Sequence, residues 1–288
     1  MIKLVVKQSG EYKRENIFYF NISRDGRIYI VTLNNGTFVL EIFKDDSVIL
    51  KKNLEGISLD THFYLVDSYD EEIIIVYFED HVCKLSKYCK ESSEIHQICS
   101  FILSVNVFHL DESGLLWIGL TEEGIFDDSN PRGKGLIAFH LKEKQFYFND
   151  QFMGMMYECY ALQSLNSNLY LCYEEEESIV IAQYHYKVES KTNHKSLCKV
   201  LKKHYLNNSE HFNYFDQMLI LRNELILINN LEDRLYAFRI EEKKLIELDL
   251  MIEGLDREEK KVYRTVGDKI FILNNNKIYL CDYVQRQQ

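Results

Sequence analysis

Along almost the whole chain, short runs of β-branched and aromatic residues alternate with polar turns. Ile28–Leu33, Phe38–Phe43, Ile73–Phe78 and Lys269–Leu273 are representative, each bounded by Asn-Gly, Asp-Gly, Asn-Asn or acidic pairs. Such runs suit pleated, half-buried surfaces, and such punctuation suits hairpins. No window of about twelve residues carries apolar positions at i, i+3, i+4 and i+7, so the pattern predicts strands and no long helix. Twenty tyrosines and seventeen phenylalanines fit broad sheet faces. The single proline, Pro131, leaves the strands their backbone donors.

The strands group into a repeat of three hairpin-linked strands and a shorter fourth. The first unit reads Ile17–Ile22, Arg27–Leu33, Thr37–Lys44 and Ser47–Asn53. The second reads His62–Val66, Glu72–Phe78, His81–Tyr88 and Glu94–Phe101. In the third, Val105–Leu110 and Leu115–Leu120 precede a long loop, Thr121–Arg132, then Gly135–Leu141 and Gln145–Asn149. The fourth reads Glu158–Leu162, Leu169–Tyr173, Ile179–Tyr186 and, after an insertion, Ser196–Leu201. The fifth reads Asp216–Leu221, Leu225–Ile228, Arg234–Ile240 and Leu245–Leu250. The sixth, Val262–Val266, Lys269–Leu273 and Lys277–Tyr283, is one strand short.

An unassigned apolar run, Ile2–Lys7, stands at the other end of the chain. Pairing it with the sixth unit would hide two sheet edges at once. With that closure the pattern resembles a β-propeller: an all-β, six-bladed disc formed by residues 1–288 as a single domain. Seven blades are the alternative, but they would need units of about 41 residues, and the first strands start farther apart than that. The stretch Leu110–Gly119, Leu-Asp-Glu-Ser-Gly-Leu-Leu-Trp-Ile-Gly, resembles the blade signature of the ligand-sensing propellers of bacterial two-component regulators. That signature occurs once. The resemblance implies a disc that binds a ligand or a protein and implies no chemistry, since one propeller scaffold hosts many functions.

Charge narrows the partners. Thirty-four Lys and Arg against 45 Asp and Glu leave a net charge of −11, which repels nucleic-acid phosphates. The best basic stripe, His194, Lys195, Lys199, Lys202, Lys203 and His204, is short and flanked by Glu189 and Glu210. Apolar runs are all far below the roughly 18 residues of a membrane helix, and the first residues lack a secretory h-region. The expectation is a soluble, cytoplasmic, monomeric protein that binds neither nucleic acid nor membrane.

Seven cysteines with no C-x-x-C argue for buried thiols rather than a disulfide framework. Cys83, Cys89 and Cys99 with His81 and His96 do not fit structural zinc spacing. Residues 127–130 lack the glycine and distal glutamate of a calcium loop. Gly133–Gly135 lacks the spacing of a phosphate loop. No cofactor is expected.

The turns between second and third strands supply the candidate site. They carry Glu79 and Asp80; Glu122, Glu123, Asp127 and Asp128; Glu174, Glu175, Glu176 and Glu177; and Glu232 and Asp233. Clustered carboxylates focus a negative potential that attracts a basic protein partner. The expected function is a non-catalytic, protein-binding propeller of a regulatory or immunity type, working through this acidic rim. The alternative is a metal-dependent hydrolase or small-ligand sensor in a central channel. Its polar residues would be Asn106, His109, Glu158, Asp216 and Asp67, with paired carboxylates as acid and base.

Overall fold

The computed structural model describes residues 2–90, 92, 94–101, 104–126, 135–148, 156–176, 178–187, 198–206, 215–221, 224–251, 261–266 and 269–287. The order opens with β1 (Ile2–Lys13). The first sheet is β2 (Ile17–Ile22), β3 (Ile28–Asn34), β4 (Thr37–Lys44) and β5 (Ser47–Asn53). The second is β6 (His62–Tyr69), β7 (Glu72–Glu79), β8 (Val82–Tyr88) and β9 (Ile95–Phe101). The third is β10 (Val105–Leu110), β11 (Leu115–Leu120), β12 (Leu136–His140) and β13 (Gln145–Phe148), with helix α1 (Glu122–Phe126) between β11 and β12. The fourth is β14 (Met156–Leu165), β15 (Asn168–Glu175), β16 (Ser178–Tyr186) and β17 (Cys198–Leu206). The fifth is β18 (Gln217–Ile220), β19 (Glu224–Asn229), β20 (Arg234–Arg239) and β21 (Lys244–Met251). The sixth is β22 (Lys261–Val266), β23 (Lys269–Asn274) and β24 (Lys277–Gln287), completed by β1.

Six antiparallel four-stranded sheets replace the seven-unit alternative. The closing pair forms as the sequence predicts: β1 runs antiparallel to β24, with Val6 opposite Tyr283 and Lys13 opposite Lys277. One feature lies outside the prediction. Residues Ile2–Val5 also pair in parallel with Leu248–Met251 of β21, so the fifth and sixth sheets share one continuous ladder. Hairpin tips close on pairs of left-handed residues, among them Asn35 and Gly36, Asp80 and His81, and Asn275 and Asn276. That backbone matches the twist of the flanking strands, which explains the Asn, Asp and Gly at the tips.

The chain divides into two compact units, 1–101 with 219–288, and 102–218. In the first, alternate residues of one strand serve two different cores. Tyr29 and Val31 of β3 pack with Val66, Ile73 and Ile75 of the second sheet. Ile28 and Ile30, on the opposite face, pack with Phe271 and Ile278 of the sixth. A strand buried on both faces has no polar alternation, and β3 reads as a continuous apolar run for that reason. The fifth and sixth sheets share a further core through Leu219, Ile226, Ile228, Tyr263, Ile270 and Ile272. The last strand of the first sheet leaves Val48 and Ile49 about half exposed, at 47% and 52%.

In the second unit, Trp117, Leu136, Cys159, Leu171 and Tyr184 belong to one core joining the third and fourth sheets. A Cβ on Gly119 would lie 2.7 Å from Cys159 Sγ and 2.7 Å from Val107 Cγ1, so the two sheets approach as closely as they do because that residue has no side chain. The signature stretch is a local lock. Asp111 Oδ1 accepts the Ser113 and Leu115 amides at 2.8 and 3.0 Å, and Oδ2 accepts the Trp117 indole N–H at 2.9 Å. Helix α1 replaces part of the predicted loop. Thr121 Oγ1 accepts the Gly124 amide at 3.3 Å, an N-terminal cap that needs only five helical residues and therefore leaves no periodic signal. No helix among the described residues is long and apolar enough to cross a membrane.

Two substitutions test this packing. Gly119→Ala forces a methyl group into the contact between the third and fourth sheets and should cost about 1–3 kcal/mol in urea denaturation; an unchanged midpoint would contradict the close approach. Asp111→Ala strands the buried indole N–H of the only tryptophan, at a cost of about 1–3 kcal/mol. The expected readout is a shifted Trp117 emission maximum together with the lower midpoint.

Candidate protein-binding face

The turns that link second to third strands place the predicted acidic residues in two different situations. Three of them turn inward and are neutralised. Glu79 is 8% exposed and accepts the Ser58 amide at 2.6 Å, the Thr61 hydroxyl at 3.3 Å and the Lys84 ammonium. Burial opposes its charge, but Lys84 and the Ser58 amide outweigh burial and hold the carboxyl below its ordinary value. Glu175, also 8% exposed, takes Lys203 Nζ at 2.9 Å and the Tyr173 and Tyr205 hydroxyls at 3.3 and 3.4 Å. Asp233 accepts Lys261 Nζ and the Tyr263 hydroxyl. These contacts fix the ends of strands; Glu79 and Glu175 are buried, whereas Asp233 keeps 31% of its side chain exposed. The signal that could have found Glu79 is a lysine on the adjacent strand, in the hairpin that sets Lys84 opposite Tyr77; the lysines of Glu175 and Asp233 come from β17 and β22, which sequence adjacency does not reveal.

The others stay outward or half-buried. Asp80, Glu122, Glu123, Glu176 and Glu232 are exposed, and Glu174 is half-buried. Glu232 lies 3.6 Å from Arg234. Asp127, Asp128 and Glu177 lie outside the described residues.

Within residues 102–218 the structure brings Glu158, which the sequence reading sets in the channel, beside carboxylates of the acidic rim. Glu158 on β14 stands directly opposite Glu174 on β15, an arrangement that costs free energy between like charges. Asn106 Nδ2 donates to Glu158 Oε1 at 3.3 Å and to the Cys159 carbonyl at 3.0 Å. The Tyr160 hydroxyl donates to Glu174 at 2.6 Å. Burial pushes the Glu158 carboxyl above its ordinary value, and the charges of Glu174 and then Glu122 push it further. Helix α1 thus brings Glu122 into the field of β14, and a register shift between Met156 and Glu158 marks an irregularity where the carboxylate stands. Sequence reasoning placed Glu158 only in the channel alternative. Its cross-strand partner becomes visible once the β14–β15 register is known.

Of the remaining channel candidates, His109 is engaged within its own unit. His109 Nε2 accepts the Ser164 amide at 3.1 Å and lies 2.9 Å from the Ser164 hydroxyl. Accepting that amide leaves Nε2 unprotonated, a base–hydroxyl geometry. Ser164, however, is only 3% exposed, so the pair ties β10 to β14 rather than presenting a nucleophile. Asp67 belongs to the other compact unit, and Asp216 lies just before β18. Among the described residues, no three or more His, Cys, Asp and Glu side chains are grouped to hold a metal ion. Of the basic stripe, Lys199 and Lys202 are exposed and Lys203 is held by Glu175, while His194 and Lys195 lie outside the described residues.

No protein-family model matches the chain. No curated protein matches it either. Solved structures do. The β-propeller domain of Cps50 (Swd1) from Myceliophteria thermophila is similar over 97% of this chain and 100% of its own length, with a TM-score of 0.57 and 10% identity. The fold is a six-bladed β-propeller. The PQQ-bound aldose sugar dehydrogenase of Streptomyces coelicolor is similar over 96% of this chain and 97% of its own length, with a TM-score of 0.58 and 11% identity. At these identities the likeness concerns architecture alone, and the six sheets are the six blades.

Replacing Glu158 with Gln removes one of three mutually repelling carboxylates of blades three and four. Because the folded protein holds this group's proton more tightly than an unfolded chain does, ionisation costs stability as pH rises. Glu158→Gln should therefore raise the urea midpoint at pH 8, and the gain should shrink as pH falls through the carboxylate range. A variant less stable than the parent at pH 8 would show that the repulsion is compensated.

Proposed function

We propose that this chain is a non-catalytic, protein-binding propeller whose partner presents a lysine- and arginine-rich surface. The observation that carries the reading is the carboxylate group of blades three and four. Glu122, Glu123 and Glu176 are exposed, and Glu174 and Glu158 stand face to face. Other acids are offset by lysines, as at Glu79 and Asp233 in other blades and at Glu175 beside this group. Charges that oppose one another across a strand pair disfavour the isolated fold, and a cationic partner would relieve that cost on binding. A regulatory or immunity-type protein that masks a basic surface is the form of interaction this arrangement suits.

The reading separates specific from diffuse attraction. Binding of an arginine- and lysine-rich peptide, followed by fluorescence anisotropy, should weaken about tenfold between 50 and 300 mM salt as the charges are screened. Exchanging Glu122, Glu123, Glu174 and Glu176 for Gln should weaken it at least as much at low salt. A control changing four exposed acids elsewhere (Glu55, Asp60, Glu71 and Glu241) to their amides lowers net charge equally and should leave most of the affinity. Equal losses in the two variants would reduce the attraction to overall charge and overturn the proposal.

A further inference from the structure

The basic stripe of the sequence takes no part in the acidic group, and the fold gives it a place of its own. Lys199, Lys202 and Lys203 lie on β17, the last strand of blade four. That blade runs in the order β14-β15-β16-β17, so among the described residues the outer side of β17 carries no partner strand. Lys199 stands opposite His185 and Lys202 opposite Gln183 on β16, so neither faces a carboxylate across the ladder. Glu175 holds Lys203. Lys199 and Lys202 are exposed and meet no carboxylate among the described residues. In a chain of net charge −11, such a run is a place where an acidic partner can approach.

Apolar side chains share this edge. Val200, Leu201 and Tyr205 are 38%, 48% and 57% exposed. The register shifts between Gln183 and Tyr184, which leaves Leu201 as the extra residue of a bulge. Beyond it, Lys202–Leu206 pair with β16 at five consecutive positions, an unbroken length of regular backbone. The other outer strands differ. β17 has nine residues, against seven in β5 and β9 and four in β13. On β5, Lys51 is paired with Glu41, and the strand follows the acidic turn Asp45-Asp46. β9 carries no lysine. β21 shows what such an edge can take, since Ile2–Val5 pairs with Leu248–Met251 and adds a strand to its outer side.

We infer that the outer edge of β17 docks an extended, acidic segment of a partner protein, added to blade four as a fifth strand along Lys202–Leu206. In such an addition main-chain hydrogen bonds supply affinity and side chains supply selection. Here the lysines select. Two copies of an edge bearing Lys199, Lys202 and Lys203 repel one another, which is how lysine protects an edge strand from its own kind. The same charges attract a strand whose carboxylates stand across from them. Val200, Leu201 and Tyr205 give apolar side chains of that segment a surface to cover. This edge and the acidic group of blades three and four select opposite charges, so each is testable without the other.

The probe is a fluorescein-labelled peptide alternating glutamate and valine, Glu-Val-Glu-Val-Glu-Val-Glu, added to the intact chain at about 50 mM salt, where screening is weak. Anisotropy should report binding, and amide hydrogen exchange should slow along Lys202–Leu206. Changing Lys199 and Lys202 together to Gln should weaken binding about tenfold. Changing Lys142 and Lys243, exposed lysines of other turns, to Gln alters net charge equally and should leave binding unchanged. Methylating the backbone nitrogens of the peptide's central residues keeps its charge and side chains but removes the donors of both its edges, and should abolish binding. Absence of binding, equal losses in the two double variants, slowed exchange confined to another strand, or a methylated peptide that binds as well as the parent would each overturn the proposal. So would a dimer of the chain alone that the Lys199→Gln and Lys202→Gln changes strengthen, since the edge would then belong to a second copy.

Discussion

The pairing of β1 with β24 is the constraint on which the rest of the architecture depends. Residues 261–287 supply only three strands, and without β1 the outer edge of β24 would present unpaired amides and carbonyls along eleven residues. Bringing the two ends of the chain together is entropically cheaper than the separation suggests, since each doubling of loop length costs only about 0.6 kcal/mol. A ladder running from Val5 opposite Val284 to Lys13 opposite Lys277 readily exceeds that increment. The parallel pairing of Ile2–Val5 with β21 uses the other edge of β1, since Lys3 and Val5 pair with Gln287 and Val284 of β24 at the same positions.

Once closure fixes the strands, the acidic residues divide into two populations by what stands opposite them. Glu41, 4% exposed, lies between Arg14 at 2.6 Å and Lys51 at 2.7 Å. Glu79, Glu175 and Asp233 each meet a lysine. Burying a carboxylate without such a partner would cost several kcal/mol, so the lysines are conditions for placing acids at those strand ends. Glu158 and Glu174 meet each other. The excess of acid over base in the composition is therefore not spread evenly: cations are drawn inward, and part of the remaining negative charge is concentrated between blades three and four.

The repeat was legible because burial on both faces turns a strand into an uninterrupted apolar word, as in Leu115–Leu120, where every residue is buried. Turn chemistry then divides the words, and the spare N-terminal run found its place by edge arithmetic alone. What stayed hidden depends on side-chain direction across neighbouring strands. Glu79 and Asp80 are adjacent, yet one is buried beside Lys84 and the other faces water; composition treats them alike. Helix α1 was invisible because five residues cannot show a period, and its position depends on Gly124, where a Cβ would lie 2.1 Å from the Ser104 carbonyl oxygen. Glu158 looked like a channel residue until its register partner was known.

Blades one and three show how a repeat can keep its backbone while changing its chemistry, since Ser23 and Asp111 each end a first strand with an amide donating to a carbonyl four residues on. Asn21 of blade one donates to the Val66 carbonyl of blade two, whereas His109 of blade three accepts the Ser164 amide of blade four. Asp111 and Trp117 form a saturated lock, with both carboxylate oxygens occupied by amide and indole donors. In blade one the corresponding Ser23 hydroxyl donates to Asp25 on the turn instead. Two blades built to the same plan thus hold their first turns with different side chains, and the difference follows from whether a serine or an aspartate ends the first strand.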